Sequence, residues 1–284
     1  MDNKYIIYVG SGGLCHMMNG LSTAINYAIS HNRILIIDCL RHGPFNNKVL
    51  NYFDININGL KIEENYDSII NEKYHDLDIK QFMKIMPTLG KTPGYHIDKY
   101  NVSAFYPNEI NNKIIVYVGC GISTIPFNEN IKIKADLINK FNLELNDSLS
   151  KEYISIHFRN TDLKHDINVF ISNIQNNKSI LKTKNINSIF IATDDYNAFN
   201  IFKEKLPEYN LFKVTEIENC QGKPIHYKSK DKNKAVRDVL KDMYVILKSK
   251  YFIPSKNSGV SKWIMNMIYT KKNIYNLDSV CELL

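Results

Sequence analysis

Three short polar segments in the second half of the chain carry residue types suited to holding an anionic ligand. The first is Ile154-Ser155-Ile156-His157-Phe158-Arg159-Asn160-Thr161-Asp162. An extended strand sends alternate side chains to opposite faces, so Ser155, His157 and Arg159 share one face while Ile154, Ile156 and Phe158 pack on the other. Arg159 presents a planar fork of donors that stays charged at any working pH and fits a diphosphate; the competing reading pairs it with Asp162 at the surface. The second segment, Phe190-Ile191-Ala192-Thr193-Asp194-Asp195, sets two carboxylates just past an apolar run. They either shape a ligand site or open the next helix as a cap or Asx turn. The third, Tyr251-Phe252-Ile253-Pro254-Ser255-Lys256-Asn257-Ser258-Gly259, reads as strand, small polar turn and helix start. Asn257, Ser258 and Gly259 therefore stand where unpaired helix amides attract phosphate, and Ser258 can equally serve as a plain N-cap.

These segments need a scaffold that brings strand ends together. Tyr5 to Val9 reads as a strand, followed by Gly10-Ser11-Gly12-Gly13, a helical stretch from Met17 to Ile29 and a buried strand from Arg33 to Asp38. This is a βαβ unit of a parallel sheet. Gly10, Gly12 and Gly13 would let backbone approach a ligand at a helix N-terminus, or simply form a tight turn. Their spacing matches neither G-x-G-x-x-G nor a Walker loop. Asp38, at the end of the second strand, keeps open a nicotinamide dehydrogenase in which it would bind ribose. Residues 41–112 lose periodicity and read as loops over a few short helices; Ile114 to Val118 is another strand and Ile133 to Leu145 a helix.

After a boundary near residue 145 the alternation restarts. Strands are expected at 153–158, 188–192, 211–214 and 251–253, and helices at 167–181, 196–206, 235–249 and 259–269. In the 235–249 helix, Val236, Val239, Leu240, Met243, Ile246 and Leu247 form an apolar stripe with Asp242 at its edge. A carboxylate there needs a partner, and the N1–H and N2–H of a guanine ring would supply two donors; a solvated Asp is the alternative. Two α/β units with a cleft between them account for the whole pattern.

Composition narrows the classes. With 284 residues, 44% hydrophobic and 23% charged, the chain is an ordinary globular protein, neither disordered nor disulfide-stapled. Its net charge of +7 favours an anionic ligand, but the lysines at 228, 230, 232 and 234 alternate with other residues as a loop would, and no basic-aromatic repeat marks a nucleic-acid groove. Cys15, Cys39, Cys120, Cys220 and Cys281 are odd in number and widely spaced, which fits a reducing compartment. No secretory leader or membrane-spanning window is legible, so the expected location is cytoplasmic.

Taken in order, the glycine turn, IHFRNTD, IFIATDD and KDMYVILKSKYFIPSKNSGVSK resemble the fucosyltransferase superfamily that includes nodulation, core α-1,6 and protein O-fucosyltransferases. The similarity spans most of residues 150–270 and touches residues 5–40. It implies an α/β, GT-B-like fold of two Rossmann-like domains with parallel sheets facing a cleft: residues 1–145 on the acceptor side, residues 146–284 binding the nucleotide sugar. It also implies an inverting, metal-independent enzyme that uses GDP-fucose as donor substrate without a cofactor, with a glycan or glycoprotein as acceptor. By position, Arg159 would bind the β-phosphate, His157 would lie near the nucleotide, Asp242 would read guanine, and Ser258 with Gly259 would hold the diphosphate. Asp194 and Asp195 would shape the same site, and Gly10, Gly12 and Gly13 would approach the donor.

The chain departs from core-type relatives in having Asn160 where a second Arg is expected, and Leu163 where a Lys is expected, with Lys164 one place later. The general base does not align; Asp162, Asp166 and His165 are the candidates. Another nucleotide sugar, or a silent nucleotide- or glycan-binding module, remains open beside the transferase. Tyr95, His96 and Tyr106 are candidate stacking groups for an acceptor sugar.

Overall fold

The computed structural model describes residues 3–10, 13–38, 48–64, 95–97, 100–103, 114–118, 131–145, 152–274 and 282–283. The chain divides into two compact units, Met1–Asn51 with Ile55–Ile125, and Tyr52–Asp54 with Pro126–Leu284.

The first unit contains β1 (Tyr5–Val9), α1 (Leu14–Ser30) and β2 (Ile34–Asp38). After β3 (Phe53–Ile55) it continues with β4 (Lys61–Ile62), β5 (Tyr95–Ile97), β6 (Tyr100–Ser103) and β7 (Ile114–Val118). Among the described residues these strands make a sheet in the order β4-β2-β1-β7-β6-β5, parallel except for the β5–β6 pair. β1 lies centrally, and Ile6 to Val9 are fully buried, as expected of a parallel strand covered on both faces. Leu14, Met17, Met18, Leu21, Ala24, Ile25 and Ala28 give α1 its buried stripe.

Gly10, just past β1, packs closely on Met17. A Cβ there would lie 2.9 Å from Sδ and Cε of the buried Met17. Tyr8 adds a second tie, its hydroxyl donating to the Met17 carbonyl at 2.5 Å. Gly13 is the N-cap of α1 in extended conformation and makes no side-chain cap. Gly12, Cys39, Cys120, Cys281 and Tyr106 lie outside the described residues, as do most of residues 41–112.

The second unit begins with β8 (Ile131–Ile133), which pairs with β3, and α2 (Ala135–Glu144). There follow β9 (Ile154–Phe158), α3 (Ile167–Asn176), α4 (Lys178–Thr183), β10 (Ser188–Thr193), α5 (Ala198–Lys205) and β11 (Asn210–Phe212). The chain ends with α6 (Ile225–Lys228), α7 (Lys232–Lys248), β12 (Tyr251–Ile253), α8 (Gly259–Ile274) and β13 (Glu282–Leu283). These strands form a parallel sheet in the order β11-β10-β9-β12-β13. The fold is α/β with two Rossmann-like parallel sheets, the GT-B-like class expected.

Two local differences have clear causes. The single helix expected over 167–181 is two, because the Asn177 backbone ends α3 and the chain restarts as α4 with Leu181 N–H on the Asn177 carbonyl at 3.0 Å. The division falls at 125/126 rather than at 145, because α2 is tied to α7: Phe141 meets the Tyr244 ring at 6.0 Å, the Tyr244 hydroxyl donates to Asn142 at 2.5 Å and Lys241 pairs with Glu144 at 2.7 Å.

The core beneath β9 and β10 is built from alternate strand positions. Ile154, Ile156, Phe158, Ile189 and Ile191 pack with Phe170, Ile171 and Ile174 of α3 and Phe202 of α5. Phe158 meets the Phe170 and Phe202 rings edge-on at 5.2 and 5.6 Å. Each such buried side chain contributes roughly 1.5 to 3 kcal/mol, and together they fix the strand whose end carries Arg159.

Gly10→Ala should destabilise the protein by about 1 to 3 kcal/mol, because the added methyl overpacks the Met17 contact. Urea unfolding followed by circular dichroism measures this; an unchanged midpoint would show that Met17 yields freely.

Candidate functional site

Strand order decides where the polar segments meet. From β9 the chain runs outward through β10 and β11 on one side, then returns to β12 and β13 on the other. The order therefore reverses at β9, and ligands bind open α/β sheets at the carboxyl ends of strands beside such a reversal. Register does the rest. Thr193 lies opposite Phe158, so Asp194 follows beside Arg159; Ile253 lies opposite Ile156, so Ser255 reaches the end of β9.

Asp194 organises the loop after β9. One carboxylate oxygen accepts the Asn160 backbone N–H at 2.8 Å, the other accepts the Thr161 hydroxyl at 2.6 Å, and the latter stands 3.7 Å from Arg159 Nε. Asp195 accepts the Asn160 side-chain amide at 2.7 Å and the Asn197 N–H at 3.0 Å. Both acids thus hold backbone and side chains of the Arg159 loop, and no group of three or more His, Cys, Asp or Glu suited to a metal occurs among the described residues.

Arg159 is mostly enclosed, its side chain 19% exposed, and donates through Nε and Nη2 to one oxygen of Asp162 at 3.0 and 2.5 Å. Burial works to raise the Asp162 carboxyl, but the Arg159 hydrogen bond and charge prevail and hold it below the usual carboxylate range. Asp166 caps α3, accepting the Asn168 N–H at 2.9 Å. His165 has both ring nitrogens on backbone carbonyls, those of Arg159 and Lys256, each at 2.8 Å. Of the three base candidates, Asp162 alone turns its carboxylate toward Arg159 in the site, and its side chain is 48% exposed.

His157 is placed under α8. Its Nδ1 lies 2.7 Å from Ser261 Oγ, which also accepts the Ser255 N–H at 3.0 Å. Burial, reinforced by the charges of Arg159 and His165, drives its pKa down to about 3, so the ring is neutral. Ser255 closes the joint, its hydroxyl donating to the His157 carbonyl at 2.7 Å and accepting the Arg159 N–H at 2.9 Å. The sequence reading passed over Ser255, Ser261 and Thr161 as site-builders; small hydroxyls flanking a predicted strand end were the signal available.

In the turn before α8, Asn257 has φ +64°, a left-handed conformation that Asn tolerates better than most residues. The Ser258 hydroxyl is fully buried without a hydrogen-bond partner in the protein, at the N-terminus that Gly259 opens. Asp242, on α7, keeps a partly accessible edge and receives one protein donor, the Thr215 hydroxyl, at 3.1 and 3.3 Å from its two oxygens. Burial raises its pKa to about 8 against the opposing Thr215 bond, with Asp238 adding to the rise. Near neutral pH this carboxyl therefore holds a proton. Thr215 left no trace in the sequence pattern, since it belongs to the loop after β11.

No protein-family model matches the chain and no curated protein matches it in sequence. Solved structures do. The fucosyltransferase NodZ from Bradyrhizobium matches at TM-score 0.54 and 16% identity over 93% of each chain. NodZ α-1,6-fucosyltransferase co-crystallised with GDP gives 0.57 at 16% identity, over 93% of this chain and 92% of that one. POFUT1 in complex with GDP gives 0.58 at 9% identity, over 100% and 98%. The chain has the fold of these fucosyltransferases. Among the described residues no helix is long and apolar enough to cross a membrane.

The neutral burial of His157 makes stability pH-dependent. Its folded pKa of about 3 lies below the unfolded value of about 6.5, so the unfolded chain takes up the extra proton and stability falls as pH drops through that window. His157→Gln, which keeps a partner for Ser261, should flatten the slope of unfolding free energy between pH 6 and 4 by up to about 1.4 kcal/mol per pH unit. Urea titrations at several pH values test it, and parallel slopes for the two proteins would refute it.

Proposed function

We propose that the chain is an inverting glycosyltransferase that moves fucose from GDP-fucose to a hydroxyl of a glycan or glycoprotein. The observation that carries this reading is Arg159 at the carboxyl end of β9, where the strand order reverses, with Ser255 tying that end to the turn that leads into α8. Support comes from fold neighbours that were solved with GDP or soaked with GDP-fucose.

In this reading the acceptor hydroxyl attacks the sugar C1 from the face opposite the leaving group, in one displacement with oxocarbenium character. The C1–O bond to the diphosphate breaks as the new glycosidic bond forms, and charge accumulates on GDP. Arg159 receives that charge, together with the α8 amides. The diphosphate competes with Asp162 for the guanidinium. Asp162, released from Arg159, then regains the proton affinity of an ordinary carboxylate and takes the acceptor proton. Guanine supplies two N–H donors to Asp242, which releases its proton to solvent and becomes a satisfied carboxylate; adenine has no such pair to offer. Positive charge comes from the protein itself, and no metal or cofactor is assigned a role. The acceptor is assigned to the first unit. Asn160 in place of a second arginine leaves Arg159 alone at its loop position, which predicts strong dependence on that one residue.

Arg159→Ala should lower transfer from GDP-fucose by about 10²- to 10³-fold with folding retained. Near wild-type turnover in a radiolabelled transfer or donor-hydrolysis assay would defeat the assignment. Calorimetric titration with GDP, ADP and UDP should show GDP selectivity, and Asp242→Asn should weaken GDP by about tenfold or more. The same substitution should stabilise the ligand-free protein at pH 8. A carboxyl whose folded pKa is raised from about 4 to about 8 loses stability as pH climbs between those values, and the amide does not ionise.

A further inference from the structure

His165 sits six residues beyond Arg159 in the loop between β9 and α3, and its ring spans two loops. Nδ1 lies 2.8 Å from the Arg159 carbonyl oxygen, and Nε2 lies 2.8 Å from the Lys256 carbonyl oxygen. A carbonyl oxygen only accepts, so each ring nitrogen must bring its own proton if both contacts are hydrogen bonds. A neutral imidazole has one N–H. In either tautomer a nitrogen lone pair would face a carbonyl oxygen at hydrogen-bond distance, which is repulsive. The His165 backbone N–H also donates to Asn160 Oδ1 at 3.3 Å, and the Phe170 ring stands edge-on to the imidazole at 6.3 Å.

We propose that His165 is an imidazolium clamp, a positioning residue that ties the loop carrying Lys256 to Ser258 to the loop carrying Arg159 and lends a positive charge to the anion-binding edge. The surrounding charges favour it. On the His165 loop stand the cations Arg159 and Lys164 and the acids Asp162 and Asp166; β10 contributes Asp194 and Asp195, which hold that loop through Asn160 and Thr161; the turn before α8 contributes Lys256. His157, under α8, is neutral. Four carboxylates and three cations thus stand on the loops that His165 joins or that pack on them, and an imidazolium balances that count before a diphosphate arrives. The consequence for donor binding rests on the GDP reading above; the charge state does not depend on that reading.

The charge state is tested on full-length protein with ring-labelled ¹⁵N histidine, His165 being identified by its cross-peaks to the Phe170 ring. At pH 7.0 both His165 nitrogens should carry protons while His157 carries one. A singly protonated His165 at pH 7.0 overturns the clamp. Calorimetric GDP titrations between pH 6 and 9 test the positioning role. Asp242 ionises in the same range in both proteins, so the positioning role is read from their ratio: His165→Gln, with a single donor group, should bind GDP about threefold or more weakly than wild type at pH 6.5, and the difference should shrink towards pH 9. A GDP affinity in the variant within about twofold of wild type at every pH overturns the positioning role even if the ring is protonated. Wild-type protein that binds no GDP at any pH overturns the donor reading and the positioning role with it, while the ring spectrum still decides the charge state.

Discussion

Asp194 has to neutralise a knot of donors at the end of a buried parallel strand, where water cannot do so. The β9 backbone leaves the sheet at Arg159, and the next two residues turn an amide and a hydroxyl inward. Asp194 takes both, at 2.8 and 2.6 Å, and stands within 3.7 Å of the guanidinium. An unsatisfied buried donor costs about 1 to 3 kcal/mol, so the shape of the Arg159 loop depends on that carboxylate being one residue past β10. Parallel register delivers it there, since Thr193 pairs with Phe158. In the sequence the acid pair reads either as shaping a ligand site or as opening the next helix. In the structure it is the frame, and Arg159 is the group it leaves facing outward with Asp162.

Beneath that frame, hydroxyls replace what longer polar side chains would do poorly. Ser255 and Ser261 fit between β9, β12 and α8, passing hydrogen bonds from the His157 carbonyl to the Arg159 amide and from the Ser255 amide to the His157 ring. The effect is to lock the end of β9 to the start of α8 without burying a charge. His157 fits this scheme only as a neutral ring, which is why burial and the neighbouring cations act in the same direction on it. The buried, unpartnered Ser258 hydroxyl lies beside this joint.

Asp242 shows the opposite strategy. A largely buried carboxyl on α7 that is given a single neutral donor is an unfavourable element in the ligand-free protein. Such a cost is commonly retained at binding sites, where the ligand supplies the missing donors. In the proposed function, stability and guanine recognition pull against each other at this position.

Much of this was legible in the residue order. Runs such as Ile154 to Phe158 and Phe190 to Ala192, bounded by polar turns, announce parallel strands because β-branched and aromatic residues suit a strand buried on both faces. The same runs place Arg159, Asp194 and Ser258 at strand ends, so the candidate site was visible as three segments, and their order carried the resemblance to fucosyltransferases. The sequence could not assign partners. Whether Asp166 caps a helix or takes a proton, whether His165 offers a lone pair or uses both nitrogens on carbonyls, and that Asp242 meets Thr215 across 27 residues depend on which loops become neighbours. The break at Asn177 and the attachment of α2 to α7 escaped for the same reason. Local pattern is set by alternation and helical period along the chain, whereas charge state and hydrogen-bond partnership are set by distance between segments that the folded sheet alone brings together.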